Sequence, residues 1–441
     1  MKFHRLLLPL ILIVAHVASA QPAVEVPRVE LTHYRTANGL RVALAPDKSS
    51  PTVAVSITYD VGSRNERPGQ TGVANLLHAM NLRDLQRRCT DRLLIPDSQR
   101  AEACRGSNNQ ERTSYTLSVS TDRWERALSV LAEQMRALEI DQGSMDRQRT
   151  DLLEQRRAGD DASARAAERL LELSFTSFAY KHGVEGSEAD LKALTVADVQ
   201  RVFQTYFAPN NAALALVGDF DAFEARRAIE KHFGPVPRHG RIPPVNVAEK
   251  ARSGERRTVL KDVRAKQPQY LASYRTVPSD HPDWYALNLL ADILGQGKES
   301  RLQRALVETR LTLDLAEGMS ESRGPSLFRI RANLPPDGDI KRVEDAIDRE
   351  IARIQREGVT ETELALARSQ ERDYWRQVLS TPRGKAETLT RFSIYYQDPE
   401  RINEELRTLL AVTARDVQRV ARKYMNRDRR AVVVTLPGVR R

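Results

Sequence analysis

The chain has 441 residues, of which 41% are hydrophobic and 29% charged, and its formal net charge is +10. This composition is typical of a globular protein, and the length exceeds what one ordinary core needs, so two or three domains are expected. Basic and acidic residues are interspersed, without a basic stripe or stacking aromatic residues. That pattern favours an arginine-rich surface over a nucleic-acid-binding one.

The first twenty residues have the pattern of an export signal. A basic start precedes a short apolar run over residues 6–14 and a small-residue cleavage site at residues 18–20. The apolar run is too short for a good membrane anchor, and no later run is long enough to span a bilayer. We therefore expect residues 1–20 to be a cleaved signal peptide and the mature chain to be periplasmic.

The first informative elements of the mature chain are a strand and a helix. Alternating apolar residues predict a strand around residues 53–57, and a helix opens at Gly72. This helix could carry His-x-x-Glu-His, in which two histidines on one face bind zinc and the glutamate is the general base. The three positions instead read Asn75, His78 and Ala79. A zinc-peptidase scaffold with this sequence has lost its metal.

The only two cysteines follow this helix, at Cys89 and Cys104. In an oxidising compartment they are expected to form a disulfide, which closes a loop of about 15 residues and stabilises the fold by roughly 3 kcal/mol. A two-cysteine metal site is the alternative, although no His-x-His or Cys-x-x-Cys spacing accompanies it.

Further along, two distant segments of the chain match. Residues 195–202 and residues 413–420 share Asp-Val-Gln-Arg-Val, an N-capping threonine and a closing strand, at a constant offset of 218 residues. This repeat predicts a duplicated unit of roughly 200 residues. A proline-rich stretch lies between the two copies of this unit. The expected domains are residues 21–235 and 257–437, joined by a linker over residues 236–256.

Within each half, strands are grouped with long amphipathic helices. The predicted helices cover residues 123–138, 162–174, 284–294 and 364–379. Because strict strand–helix alternation is rare, the pattern favours an α+β fold in which helices pack on a mainly antiparallel sheet in each of two homologous domains.

Several short motifs occur along the chain in a recognisable order and spacing. They are Asn38-Gly39-Leu40-Arg41-Val42, Val61-Gly62-Ser63-Arg64 with Gly72, Val217-Gly218-Asp219-Phe220, Leu289 to Gly295, and Ser300-Arg301-Leu302. Together they resemble the pitrilysin/insulinase (inverzincin) metallopeptidase family, in its shorter branch of bacterial processing proteases and mitochondrial processing peptidase. The resemblance covers nearly all of the mature chain and implies a two-domain chain that forms half of a clamshell, two of which close around a peptide chamber.

The resemblance also implies an emptied active site. The family's two histidines and general-base glutamate fall on Asn75, Ala79 and His78. Its third ligand, a glutamate about 75 residues downstream in this family, falls on Gln155, although a shift by one residue would place Glu154 there. The expectation is therefore no catalytic residue, no bound metal and no cofactor.

In this family an extended peptide adds to a sheet edge. The resemblance places that edge on the strand after residue 112, so Tyr115, Leu117 and Val119 are the candidate peptide-binding residues. An ordinary sheet edge without a ligand is the alternative.

The leading hypothesis is an exported, non-catalytic subunit that binds peptide or unfolded polypeptide. It would form a hetero- or homodimer with a family member, without nucleic acid and without a membrane span. One alternative is a working metalloendopeptidase whose displaced metal site uses His78, Glu154 and Glu111. Another is a stand-alone peptide-binding or envelope-assembly protein.

Overall fold

The structure is a computed structural model that describes residues 28–93, 95–250 and 254–438. The predicted signal peptide, residues 1–20, lies outside these residues, as does the stretch 251–253 of the predicted linker. No helix within the described ranges is long and apolar enough to cross a membrane.

Strands gather into two sheets, one in each half of the chain. The strands are β1 (Thr32–Arg35), β2 (Arg41–Pro46), β3 (Thr52–Tyr59), β4 (Cys104–Asn108), β5 (Thr113–Ser120), β6 (Ala212–Gly218), β7 (Arg256–Asp262), β8 (Gln269–Arg275), β9 (Asp314–Met319), β10 (Leu327–Asn333) and β11 (Arg430–Pro437). The first sheet has the order β1-β2-β6-β3-β5-β4 and the second β7-β11-β8-β10-β9. Only the β2–β6 and β7–β11 pairs are parallel within the described chain, so the predicted mainly antiparallel α+β fold is confirmed.

Helices pack on both sheets. They are α1 (Val73–Leu93), α2 (Asp97–Ala103), α3 (Trp124–Arg136), α4 (Gln142–Gly159), α5 (Ala162–Ser174), α6 (Phe178–Lys181), α7 (Glu188–Ala193), α8 (Val196–Tyr206), α9 (Ala222–Phe233), α10 (Asp283–Gly295), α11 (Ile340–Glu357), α12 (Glu361–Leu379), α13 (Pro382–Tyr395), α14 (Glu405–Leu410) and α15 (Ala414–Tyr424).

The sequence repeat is also a structural repeat. Helices α8 and α15 both have 11 residues, and each begins with a capping box in which Thr195 or Thr413 accepts a hydrogen bond from the backbone N–H three residues on. Each helix leads to an interior strand of its sheet, β6 or β11. The five strands β2-β6-β3-β5-β4 have the same order as β7-β11-β8-β10-β9, and β1 is an addition to the first sheet.

The two halves exchange one helix each. Helix α13 covers the outer face of the first sheet, where Leu389 and Phe392 pack against Ala54 and Ala215. Helix α5 does the same for the second sheet, where Leu170 is buried with Leu271 and Val433. Because each sheet is completed by the other half, the two halves are held together by their cores.

The predicted linker is partly packed. Residues 237–250 contain no helix or strand, but Val245 and Val247 pack against a small cluster around Tyr180. The Glu249 carboxylate accepts hydrogen bonds from the backbone N–H of Thr176 and Ser177. This segment therefore packs against the first half and is not a linker without contacts.

Candidate functional site

Helix α1 carries Asn75, His78 and Ala79, and the buried pair of Glu66 and His182 lies at its start. Gly72 has φ of +87°, which favours glycine. The Glu66 carboxylate then caps the helix by accepting hydrogen bonds from the N–H of Gly72 and Ala74, both at 2.9 Å. His182 Nε2 lies 3.0 Å from the same carboxylate. Burial acts to lower the pKa of His182, but the bond to Glu66 raises it on balance.

His78 is buried and serves as packing. Its ring stacks on Tyr115 with 5.4 Å between centroids, and its Nδ1 lies 3.2 Å from Tyr115 Oη. A Cβ atom at Gly106 would come within 2.7 Å of His78 Cε1, so the ring fills the space that this glycine leaves. Burial lowers the pKa of His78 to about 4. The imidazole is therefore neutral at pH 7 and joins α1 to β4 and β5.

Helix α4 carries Gln155, the predicted third position, and a groove separates this helix from α1. Gln148, Asp151 and Gln155 follow one another at i+3 and i+4 and so share one stripe of α4. Asp151 of this stripe lies 3.7 Å from Arg83 of α1, and Gln148 lines a cleft together with Arg83. The stripe therefore faces α1. Gln155 continues it, while Glu154 is rotated by about 100° away, so helix geometry favours Gln155 as the position facing Ala79.

The structure corrects the predicted sheet edge. Strand β5 is flanked by β3 on one side and by β4 on the other. Tyr115, Leu117 and Val119 are buried in the first core, with at most 4% of their surface exposed. The edge strand on this side of the sheet is β4, for which the sequence analysis predicted no strand. A glycine inside a strand, Gly106, was the available sign of a close approach.

A disulfide joins Cys89 of α1 to Cys104 at the start of β4. The segment between them forms the end of α1 and helix α2. The bond therefore ties the helix that carries Asn75, His78 and Ala79 to the edge strand beside it.

In the second half, Asp292 of α10 is buried near the carboxylates of Glu371 on α12 and Glu317 on β9. Burial first, and then the charges of Glu371 and Glu317, raise the pKa of Asp292 to about 8. Asp292 is therefore protonated at neutral pH.

Comparison with known protein families agrees with this architecture. The profile described as "Insulinase (Peptidase family M16)" matches residues 41–187, and that described as "Peptidase M16 inactive domain" matches residues 193–371. The chain belongs to the M16 family. This confirms the resemblance to pitrilysin/insulinase peptidases that the sequence motifs indicated.

Individual M16 proteins resemble the chain over almost its whole length. Zinc protease PqqE of Helicobacter pylori is 24% identical over 409 residues, which cover 91% of each chain. The crystal structure of a protease from Helicobacter pylori superposes with a TM-score of 0.86 at 22% identity, covering 93% of this chain and all of that one. The periplasmic protease PqqL from Escherichia coli gives a TM-score of 0.74 at 17% identity, with 94% of this chain matching 48% of that one.

The residues of this M16 chain do not fit a zinc ion. Asn75 and Gln155 offer neutral amides and Ala79 offers no donor, whereas zinc sites use imidazole, thiolate or carboxylate. Across residues 28–93, 95–250 and 254–438, no three His, Cys, Asp or Glu side chains form a group that could hold a metal.

Glu111, a ligand candidate of the displaced-site alternative, is already engaged elsewhere. Its carboxylate lies 2.9 Å from Arg64 Nε and 2.5 Å from Tyr180 Oη, and it accepts a hydrogen bond from the N–H of Arg323. These contacts join the first half to the β9–β10 loop of the second half. Glu111 is thus part of the contact between the halves and does not join His78 and Glu154.

Proposed function

We propose that this M16 chain is an exported, non-catalytic member of the family that binds extended polypeptide. The observation that carries the proposal is the set Asn75, His78, Ala79 and Gln155. These residues supply neither the ligands of a zinc ion nor a carboxylate base to activate water. His78, at the base position, is neutral and packed against Tyr115 and Gly106.

Strand β4 is the surface that would take the polypeptide. No strand of the described chain pairs with its outer side. Asn109 N–H donates to the Arg112 carbonyl. Because every second residue of an antiparallel strand bonds to its partner strand, Ser107 is the next residue of β4 whose backbone bonds to β5. The backbone N–H and C=O groups of Gly106 and Asn108 then point to the free edge, where an added strand can pair.

Export and assembly complete the proposal. Residues 1–20 have the pattern of a signal peptide, and the similar PqqL protein is described as periplasmic. A chain of this shape would close against a second M16 chain, either an active relative with an intact His-x-x-Glu-His motif or a second copy. Co-purification from the native host would detect the first, and the mass of the purified protein in solution the second. A monomer that captures no M16 relative would contradict the assembly.

The decisive experiment measures zinc and cleavage on the same purified protein. Metal content by mass spectrometry should be far below one zinc per chain, and an unfolded polypeptide should stay intact with or without a chelator. Near-stoichiometric zinc together with cleavage that a chelator abolishes would overturn the proposal and favour the metalloendopeptidase alternative.

The vacated positions can be tested separately by refilling them. We expect the combined variant Asn75→His, His78→Glu, Ala79→His and Gln155→Glu to bind about one zinc ion, because the groove between α1 and α4 is kept. The matched control keeps Gln155 and relies on the native Glu154. Equal zinc affinity in the two proteins would show that Gln155 is not the third position.

Binding at β4 can be tested with backbone-methylated peptides. Methylating the amide N–H groups of one alternate set of residues removes the donors that face β4, while methylating the other set leaves them. Methylating the set whose N–H groups face β4 should abolish binding, and methylating the other set should not. A peptide that binds equally well with either set methylated would rule out strand addition.

A further inference from the structure

A cleft of about 390 Å³ opens beside strand β4, on the opposite side from His78. One wall comes from β4 and β5 through Arg105, Ser107 and Arg112, and the other from α12 and α13 through Tyr374, Glu387 and Arg391. Arg105 and Ser107 alternate with Gly106 along β4, so they face away from His78 and into this cleft. Both halves of the chain therefore build it.

Two arginines of the cleft keep donors free. Arg112 Nη1 and Arg391 Nη1 each lie 3.2 Å from an oxygen of the same carboxylate, Glu321. Among the described residues, the side-chain hydrogen bonds of both arginines use only Nη1. A guanidinium has five N–H donors, so Nε and Nη2 of each remain available to a ligand, and two positive charges share one negative charge.

The rim of the cleft repeats this arrangement. Arg105 and Arg383 both pair with the single carboxylate of Glu102. Glu387 is the one acidic side chain among the residues that line the cleft, against Arg105, Arg112 and Arg391. The charge of the cleft therefore complements an anion.

We propose that this cleft binds a carboxylate of the polypeptide strand that adds to β4, either an aspartate or glutamate side chain or a terminal carboxylate. The proposal rests on strand addition to β4. Side chains of an added strand alternate between its two faces, so every second residue faces the cleft. There the free donors of Arg112 and Arg391 can form the paired hydrogen bonds that guanidinium groups make with carboxylates.

The test compares labelled, β-prone peptides by fluorescence anisotropy on the full mature protein. One peptide has glutamate at a central position and the other glutamine, both with amidated C-termini, and a third has glutamine with a free C-terminus. We expect the glutamate peptide to bind about tenfold more tightly than its glutamine counterpart, as one partly screened charge pair would give, and the difference to shrink at high salt.

The outcomes separate this proposal from the one it rests on. If none of the peptides binds, strand addition itself fails. If the glutamate and amidated glutamine peptides bind equally and the free C-terminus adds nothing, strand addition stands but the carboxylate cleft is refuted. Tighter binding of only the peptide with a free C-terminus supports the cleft and identifies a terminal carboxylate as its ligand.

Two variants locate the effect. Arg112→Gln removes one guanidinium while leaving Glu321 paired with Arg391, and should abolish the preference for glutamate. Arg105→Glu, at the exposed rim, should reverse it and remains informative if Arg112→Gln does not fold. The matched control is Arg100→Glu, which breaks a similar i,i+3 pair with Asp97 outside the cleft. Unchanged preference in both cleft variants, or an equal loss in the control, would refute the assignment.

Discussion

Replacing His78 by glutamine should reduce the loss of stability that the protein suffers in acid. The ring is 9% exposed and 3.2 Å from Tyr115 Oη, and burial lowers its pKa to about 4. In the unfolded chain the same side chain takes up a proton near pH 6.5. Between these two pH values the unfolded state binds more protons, so the free energy of unfolding falls as the pH falls.

The size of this effect follows from the two pKa values. A pKa that drops from 6.5 to about 4 corresponds to about 3 kcal/mol. This contribution is fully present above pH 6.5 and is lost as the pH falls towards 4. At neutral pH the glutamine variant should itself be less stable by about 1–3 kcal/mol, because it loses the ring that fills the space beside Gly106.

Urea unfolding at pH 7.5 and at pH 4.5 would measure both effects. The difference between the two pH values should be about 2–3 kcal/mol smaller in His78→Gln than in the natural protein. His33→Gln, at an exposed position, is the control and should leave the difference unchanged. An identical pH dependence in the natural protein and the His78 variant would refute the inference that a buried neutral imidazole occupies the base position.

Three further substitutions test other parts of the structure. The pKa of Asp292 is raised from 3.8 to about 8, so Asp292→Asn should stabilise the protein by up to about 5 kcal/mol at pH 8 and by little near pH 4; equal urea midpoints of variant and natural protein at pH 8 would contradict this. Gly324→Ala places a Cβ 2.5 Å from Tyr180 Cε2 and should lower the melting temperature through a cost of about 1–3 kcal/mol, whereas Gly318→Ala, in open space, should not. Thr413→Ala removes the cap of α15 and should cost about 1 kcal/mol in urea unfolding; no change would show that the cap is dispensable.

Local pattern was enough to predict much of the fold. Helix α5 was expected at residues 162–174 and begins and ends there. The repeat around Thr195 and Thr413 predicted two equivalent helices, which the structure shows with the same caps and length. Helix periodicity and capping depend on neighbours within a few residues, so the sequence is enough to predict these features.

The sheet edge could not be predicted in the same way. Tyr115, Leu117 and Val119 have the alternation of a strand with one apolar face, and that pattern is equally compatible with an edge and with a central position. Whether β5 is the edge depends on β4, whose residues Cys104–Asn108 are too polar to indicate a strand and pair with β5 across the short turn 109–112. The cleft of Arg112 and Arg391 escaped notice for another reason, because these residues are 279 positions apart in the chain.

The sequence by itself determined which residues stand at the positions that the resemblance assigns to zinc ligands and base, and that the chain is duplicated, since both depend on residue identity and spacing. The tertiary structure alone decided how His78 is packed. His78 of α1 meets Gly106 and Tyr115, which are paired in the β4–β5 hairpin, and burial makes the imidazole neutral. The tertiary structure also decided that α5, from the first half, covers the second sheet and that α13, from the second half, covers the first. An apolar helix face does not specify which of two similar sheets it will meet.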